Sequence, residues 1–90
     1  MIDGASVLRL GARVRLRHDP ARGAFVLLAP ERVLLLDSIA ATILQSCDGQ
    51  TSVDTMTNKL AETFAGERER IRADVMTLLQ DLADKGLVVT

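Results

Sequence analysis

The hydropathy pattern of the chain changes period once, near residue 37, and this change limits the folds that the chain can adopt. Before it, residues 13–17 alternate arginine with aliphatic side chains, which is the period of a strand with one buried face. Residues 25–28 and 32–36 form two further short apolar runs, and turn-forming residues at 18–23 and Pro30 separate the three segments. Beyond them, apolar residues recur every three or four positions, as they do in amphipathic helices.

This second pattern predicts three helices. Asp37 or Ser38 can cap the first, and Thr51 with Asp54 three residues later resembles a capping box for the second. The third has acidic residues in its first turn and Lys85 near its end, as the helix dipole favours. The predicted helices span residues 37–47, 51–65 and 67–85.

The order of these elements predicts an α+β domain, because strands are followed by helices rather than alternating with them. We expect a single domain over residues 1–90, with a three-stranded antiparallel β-sheet followed by three α-helices. Residues 1–9 lack periodicity and are expected to form a flexible tail, and residues 87–89 could add a short closing strand. Three small helices beside a short sheet also fit a winged helix-turn-helix layout.

The third predicted strand, Arg32–Leu36, is apolar on both faces. A strand of this kind needs cover on both sides, and three strands with a few helices cover one side more easily than the other. Two outcomes stay open from the sequence. The helices of the domain cover both faces, or one edge is left for a partner to fill.

The third helix carries more than one apolar row. At 100° per residue, one narrow sector must face the core. Its members are Ile71, Val75, Leu78 and Leu82. A second row lies beside it, formed by Arg68, Arg72, Met76, Leu79 and Ala83. An apolar row bordered by arginine is either the wall of a groove or the edge of a broad core stripe.

Composition argues against an enzyme. One histidine and one cysteine cannot build a metal site or a Cys/His active site, and no pattern resembles a phosphate-binding or dinucleotide-binding loop. His18 in a turn and Cys47 on an apolar helix stripe are expected to be structural. We expect no cofactor and no metal. The lack of a signal sequence, a membrane span or a disulfide pair predicts the cytoplasm.

The charge distribution bears on nucleic-acid binding, which the winged-helix layout raises as an alternative. Residues 1–32 carry a balance of +3 and residues 33–90 a balance of −4. A duplex-binding protein needs a basic element to enter the DNA groove, whereas the second and third helices here each carry a net negative charge. No aromatic platform for single strands is present either. We therefore expect no nucleic-acid partner.

Several segments, spread over residues 8–88, resemble the PqqD family of pyrroloquinoline quinone (PQQ) biosynthesis. The most specific are Leu27-Leu28-Ala29-Pro30-Glu31 and Cys47-Asp48-Gly49, at their mutual spacing. Further matches are residues 10–17, Asp19-Pro20, Arg22-Gly23, Val26, Ala40, Ile43-Leu44, Thr51, Val53, Asp74-Val75, Leu82 and Gly86-Leu87. One departure is Asp37, where the family usually has asparagine; both residues can cap a helix.

The resemblance implies a peptide chaperone of the precursor-peptide recognition class. In that family the precursor peptide PqqA binds PqqD, which presents it to the radical SAM enzyme PqqE. The iron–sulfur clusters and S-adenosylmethionine belong to PqqE, so the resemblance implies no cofactor here. The family's binding mode places the peptide between the third strand and the last helix, where it adds to the sheet as a strand.

Carried onto this sequence, that binding mode gives a candidate peptide site. Its residues are Arg32, Val33, Leu34, Leu35, Arg72, Met76 and Leu79. The strand residues would supply the backbone edge, Met76 and Leu79 an apolar wall, and Arg72 a partner for a carboxylate of the peptide. Two other functions stay open: a winged-helix DNA-binding protein, and a recognition element for another modified peptide. A homodimer could form through the sheet edge or by hairpin exchange.

Overall fold

The structure of the protein is a computed structural model that describes residues 1–90, and it contains three α-helices and two small antiparallel sheets. The α+β class is confirmed. In chain order the elements are β1 Val7–Leu10, β2 Arg15–Asp19, β3 Ala24–Ala29, β4 Arg32–Leu35, α1 Ser38–Gln45, β5 Asp48–Ser52, α2 Val53–Phe64, α3 Arg68–Asp84 and β6 Val88–Val89.

The three strands expected from the alternating segments form one sheet in the order β2-β3-β4, which we call the hairpin sheet. Arg15 lies opposite Leu28 and Leu28 lies opposite Val33, so the register runs straight across all three strands. The tight turn between β3 and β4 places Glu31 at a φ of 61°, directly after Pro30. Proline followed by a residue of positive φ is typical of a type II turn, and it explains why the chain reverses within two residues.

The second sheet, in the order β5-β1-β6, is absent from the sequence-based prediction. Its central strand is β1, so the expectation of a flexible tail over residues 1–9 is wrong for residues 7–9. Leu8 is almost fully buried, and Ile2 also lies in the core. Burial of these two side chains anchors the N-terminal segment, because removing a Leu or Ile side chain from water contributes about 1.5–3 kcal/mol.

The segment between α1 and α2 also differs from the prediction. It contains β5, whose sequence Asp-Gly-Gln-Thr-Ser lacks the apolar alternation of a strand. The Asp48 carboxylate accepts hydrogen bonds from the N–H groups of Gln50 and Thr51, at 2.9 Å each, and these bonds lower the pKa of Asp48. The N-cap of α2 is Ser52, which accepts from the N–H of Thr55, so the expected capping role of Thr51 is wrong. Asp37 caps α1 as predicted.

The core lies between the helices and both sheets. Its fourteen buried residues include Leu27 of the hairpin sheet, Leu8 of the second sheet, Leu44 of α1 and Leu60 of α2. Helix α3 contributes Val75, Leu79 and Leu82. None of the three helices has the length and apolar character that a bilayer crossing requires.

Candidate functional site

Strand β4 is an edge strand, because it pairs with β3 on one side and with no strand on the other. Beyond its last residue, the Leu36 N–H donates to the carbonyl of Phe25 at 3.1 Å. Backbone groups of successive residues in an antiparallel strand point alternately toward and away from a neighbour. The N–H and C=O groups of Leu34 therefore face β3, and those of Val33 and Leu35 face the open edge.

The side chains of β4 are also incompletely covered. Val33 is 62% exposed and Leu35 is 63% exposed, whereas Leu34 is half-buried and packs against the core. The helices therefore do not cover both faces of this strand, so the first of the two outcomes that the sequence leaves open is wrong. An edge with free backbone groups and exposed aliphatic side chains is suited to pairing with a further strand.

Helix α3 does not present the row that the sequence analysis assigns to the groove. Leu79 has 0% exposure and belongs to the core. A side chain without exposed surface cannot line an open groove, so the expected role of Leu79 is wrong. The reason is that the core stripe of α3 is rotated by about 40° around the helix axis from the predicted sector. Val75, Leu79 and Leu82 are buried, while Ile71 and Leu78 are only half-buried.

Arg72 and Met76 lie on the flank of α3 that faces the N-terminal segment and the start of α2. The Arg72 guanidinium lies 3.6 Å from the Asp54 carboxylate. Met76 lines an open depression of about 500 Å³ together with Ile2 and Gln80, and the Gln80 side chain accepts from the Ile2 N–H at 3.2 Å. Arg72 therefore already has a carboxylate partner within the chain, and neither residue is brought to the β4 edge by any contact of α3.

The opposite flank of α3 is free of these contacts. Leu78 lies about 160° from Met76 around the helix axis. Leu78 and Ile71 are half-buried and pack against the core from this flank, as Leu34 does from β4. Helix α3 packs mainly against α2 and β6, and β4 packs against β3. We define the edge site as Val33, Leu34 and Leu35 of β4, and the free flank of α3 as Ile71 and Leu78.

The other candidate reactive groups, His18 and the possible metal ligands, do not form a reactive arrangement. The His18 ring packs edge-to-face on Phe25, with 5.1 Å between the ring centroids. No group of three or more His, Cys, Asp or Glu side chains lies close enough together to hold a metal ion. In α3, Arg68 lies within 4 Å of carboxylates on Asp54 and Glu69, so its charge is neutralised locally.

Cys47 carries a free, buried thiol, and its environment makes the free energy of unfolding depend on pH. Burial, with a further contribution from the negative charge of Asp48, raises the pKa of Cys47 from 9.0 to about 11. The unfolded chain therefore loses its thiol proton before the folded chain does. We expect the free energy of unfolding to be constant up to about pH 8 and then to fall by up to about 1.4 kcal/mol per pH unit between the two pKa values.

Urea denaturation at pH 7, 9 and 10.5 measures this loss. Cys47→Ala serves as the control, since it should be less stable at neutral pH but should lack the alkaline decline. An equal decline in both proteins would contradict the assignment to Cys47.

Comparison with known proteins places this arrangement in a family. The family described as "Coenzyme PQQ synthesis protein D (PqqD)" matches residues 24–88. The chain is 47% identical over 79 residues to a PqqA binding protein of Bradyrhizobium diazoefficiens, covering 88% of this chain and 77% of that protein. It is 45% identical over 83 residues to a PqqA binding protein of Rhizobium meliloti, covering 92% of this chain and 85% of that protein.

Solved structures agree with this result. One is the NMR structure of the PqqD truncation of Methylobacterium extorquens PqqCD, which is 37% identical to this chain with a TM-score of 0.85. The match covers 100% of this chain and 96% of that one. That protein is described as a functional and stand-alone recognition element for ribosomally synthesized and post-translationally modified peptides (RiPPs). Crystalline PqqD from Xanthomonas campestris is 42% identical with a TM-score of 0.57, covering 94% of each chain. A lasso peptide synthetase B1 complexed with its leader peptide shares the fold at 24% identity, with a TM-score of 0.77, covering 94% of this chain and 100% of that one.

Proposed function

The chain belongs to the PqqD family, and from this premise we propose that it binds a PqqA precursor peptide by strand addition at the edge site. The observation that carries the proposal is the open side of β4, where the backbone groups of Val33 and Leu35 have no strand partner. A peptide in extended conformation satisfies these groups with main-chain hydrogen bonds, which provide affinity with little dependence on sequence.

Selectivity comes from the side chains of the bound strand, which alternate between its two faces. Those on the inner face lie on the same side of the sheet as Leu34, and we propose that half-buried Ile71 and Leu78 on the free flank of α3 contact them. Those on the outer face lie beside Val33 and Leu35. A peptide with apolar residues at alternate positions therefore fits this edge better than one with charges at the same positions.

The role of such a protein is presentation rather than catalysis. We propose that the bound precursor is delivered to the radical SAM enzyme PqqE, in the cytoplasm, for the modification that leads to PQQ. The chain itself contributes no reacting group: its thiol is buried, and His18 packs on Phe25. The chemistry belongs to the enzyme that receives the peptide.

Calorimetric titration with synthetic PqqA from the same genome tests peptide binding. We expect saturable binding of one peptide per chain, and at least tenfold weaker binding of a scrambled peptide of the same composition. Equal affinity for both peptides, or no binding of either, would contradict the proposal. A panel of precursor peptides from other modification systems, titrated in parallel, separates PqqA from another modified peptide as the ligand.

The same edge can also pair with β4 of a second copy, so we propose that self-association and peptide binding compete. Sedimentation velocity at rising protein concentration, with and without saturating PqqA, measures this. Competition predicts that the peptide shifts any dimer toward a monomeric complex, whereas a dimer that persists with peptide bound uses another surface.

A further inference from the structure

One face of the hairpin sheet points away from the core. The strand register arranges the side chains of this face in rows. Arg15, Leu28 and Val33 lie opposite one another across the three strands and form one row. Arg17, Val26 and Leu35 form the next row. Each row therefore has an arginine on β2 and aliphatic residues on β3 and β4, and we call this surface the outer face.

The apolar part of the outer face is open on β4. Val33 and Leu35 are each exposed by more than 60%. Leu28 is half-buried and Val26 is buried, and a depression of about 260 Å³ beside them is lined by Arg17, Asp19 and Val33 among others. Aliphatic side chains clustered on one sheet face, with a charged border on one side, are the pattern of a protein interface rather than of scattered surface residues.

The arginines of the outer face have no partner within the chain. Arg15 and Arg17 are exposed and form neither an ion pair nor a side-chain hydrogen bond, whereas Arg22 beside them pairs with Asp19 at 3.3 Å. Arg68 and Arg72 on α3 differ, since Asp54 partners both. Two unpaired cations along one border of an apolar patch favour a partner that brings carboxylates to that border.

We infer that the outer face docks a protein partner whose apolar patch is bordered by carboxylates, and that this partner is the enzyme that receives the peptide. The inference rests on the proposed function, because a peptide strand added to β4 would extend this same face. Neighbouring strands lie about 4.8 Å apart, so the peptide widens a face of about 14 Å to about 19 Å. The docked partner therefore contacts the outward side chains of the peptide directly.

This geometry makes docking depend on the peptide. If the partner contacts the peptide on the outer face, the peptide raises the affinity of the partner, and the partner raises the affinity of the peptide by the same factor. The chain would then deliver loaded peptide in preference to an empty scaffold.

Binding of PqqE to the chain, with and without saturating PqqA, tests the inference. The test variant is Arg15→Glu/Arg17→Glu. The control is Arg9→Glu/Arg70→Glu, which changes the net charge equally at two exposed arginines on β1 and α3 that also lack ion pairs. We expect the test variant to bind PqqE at least tenfold more weakly while binding PqqA within twofold of wild type. The control should bind both within about threefold of wild type.

Wild-type affinity for PqqE retained by the test variant would overturn the inference, as would a failure of the wild-type chain with PqqA to bind PqqE. If sedimentation shows that the variant abolishes a dimer instead, the occupant is a second copy and the inference is also overturned. Loss of PqqA binding by the wild-type chain is a different result, since it contradicts the proposed function itself. Arg15→Gln/Arg17→Gln, which adds no negative charge, should show a smaller loss in the same direction.

Discussion

Leu79→Asp is expected to prevent the domain from folding. Leu79 is fully buried in the core beside Val75 and Leu82. Truncation of a buried leucine to alanine alone costs about 2–5 kcal/mol. An unpaired carboxylate in the same place adds several kcal/mol. A domain of this size has a total stability of about 5–10 kcal/mol, so the sum removes most or all of it.

Circular dichroism and urea denaturation measure this effect, and Thr77→Asp is the control because Thr77 is exposed on the same helix. We expect Thr77→Asp to fold with a stability within about 1 kcal/mol of wild type. The competing view, in which Leu79 lines a peptide groove, predicts that Leu79→Asp folds normally and loses only peptide affinity. That result would show that the core of α3 is assigned incorrectly.

Val33→Pro is expected to lower peptide affinity at least tenfold while leaving the domain folded. The Val33 N–H points to the open edge, so its loss removes no hydrogen bond to β3, and proline is tolerated at such edge positions. In the complex the substitution removes one main-chain bond worth about 0.5–1.5 kcal/mol. The ring also blocks close approach of the peptide strand. Titration with PqqA measures the loss.

The matched control is His18→Pro on β2, the other edge of the hairpin sheet. His18 lies opposite Phe25, whose carbonyl accepts from Leu36 on the β4 side, so the His18 N–H also points away from β3. We expect this variant to bind PqqA within about twofold of wild type. Equal losses from both variants would indicate a general effect of proline on the sheet, and no loss from Val33→Pro would exclude β4 as the binding edge.

The hairpin sheet and the three helices could be predicted because their signals are local. Alternating residues, turn formers and the helix cap at Asp37 each act within a few positions. The second sheet could not be predicted in this way. It pairs β1 with β5 and β6, which are distant in sequence, and β5 is a polar segment held partly by the Asp48 carboxylate.

The sequence could indicate the exposed strand β4 but not which flank of α3 is free. The apolar character of β4 on both faces made an exposed edge one of two outcomes, and its place at the end of the sheet in the structure decides for exposure. Helix periodicity gives a broad apolar stripe, but it does not say which element covers each flank. The Ile2–Gln80 hydrogen bond and the Arg72–Asp54 ion pair direct one flank of α3 to the N-terminal segment and the start of α2. Those contacts depend on the tertiary fold.

Amide hydrogen exchange at single-residue resolution, with and without saturating PqqA, tests peptide addition at β4 most directly. The amides of Val33 and Leu35 face the open edge in the free protein, so we expect them to exchange quickly and to become protected at least tenfold when the peptide binds. The outward amide of His18 on the opposite edge should not change. Protection of His18, or bound peptide with Val33 and Leu35 still exchanging at their free rates, would contradict strand addition at β4.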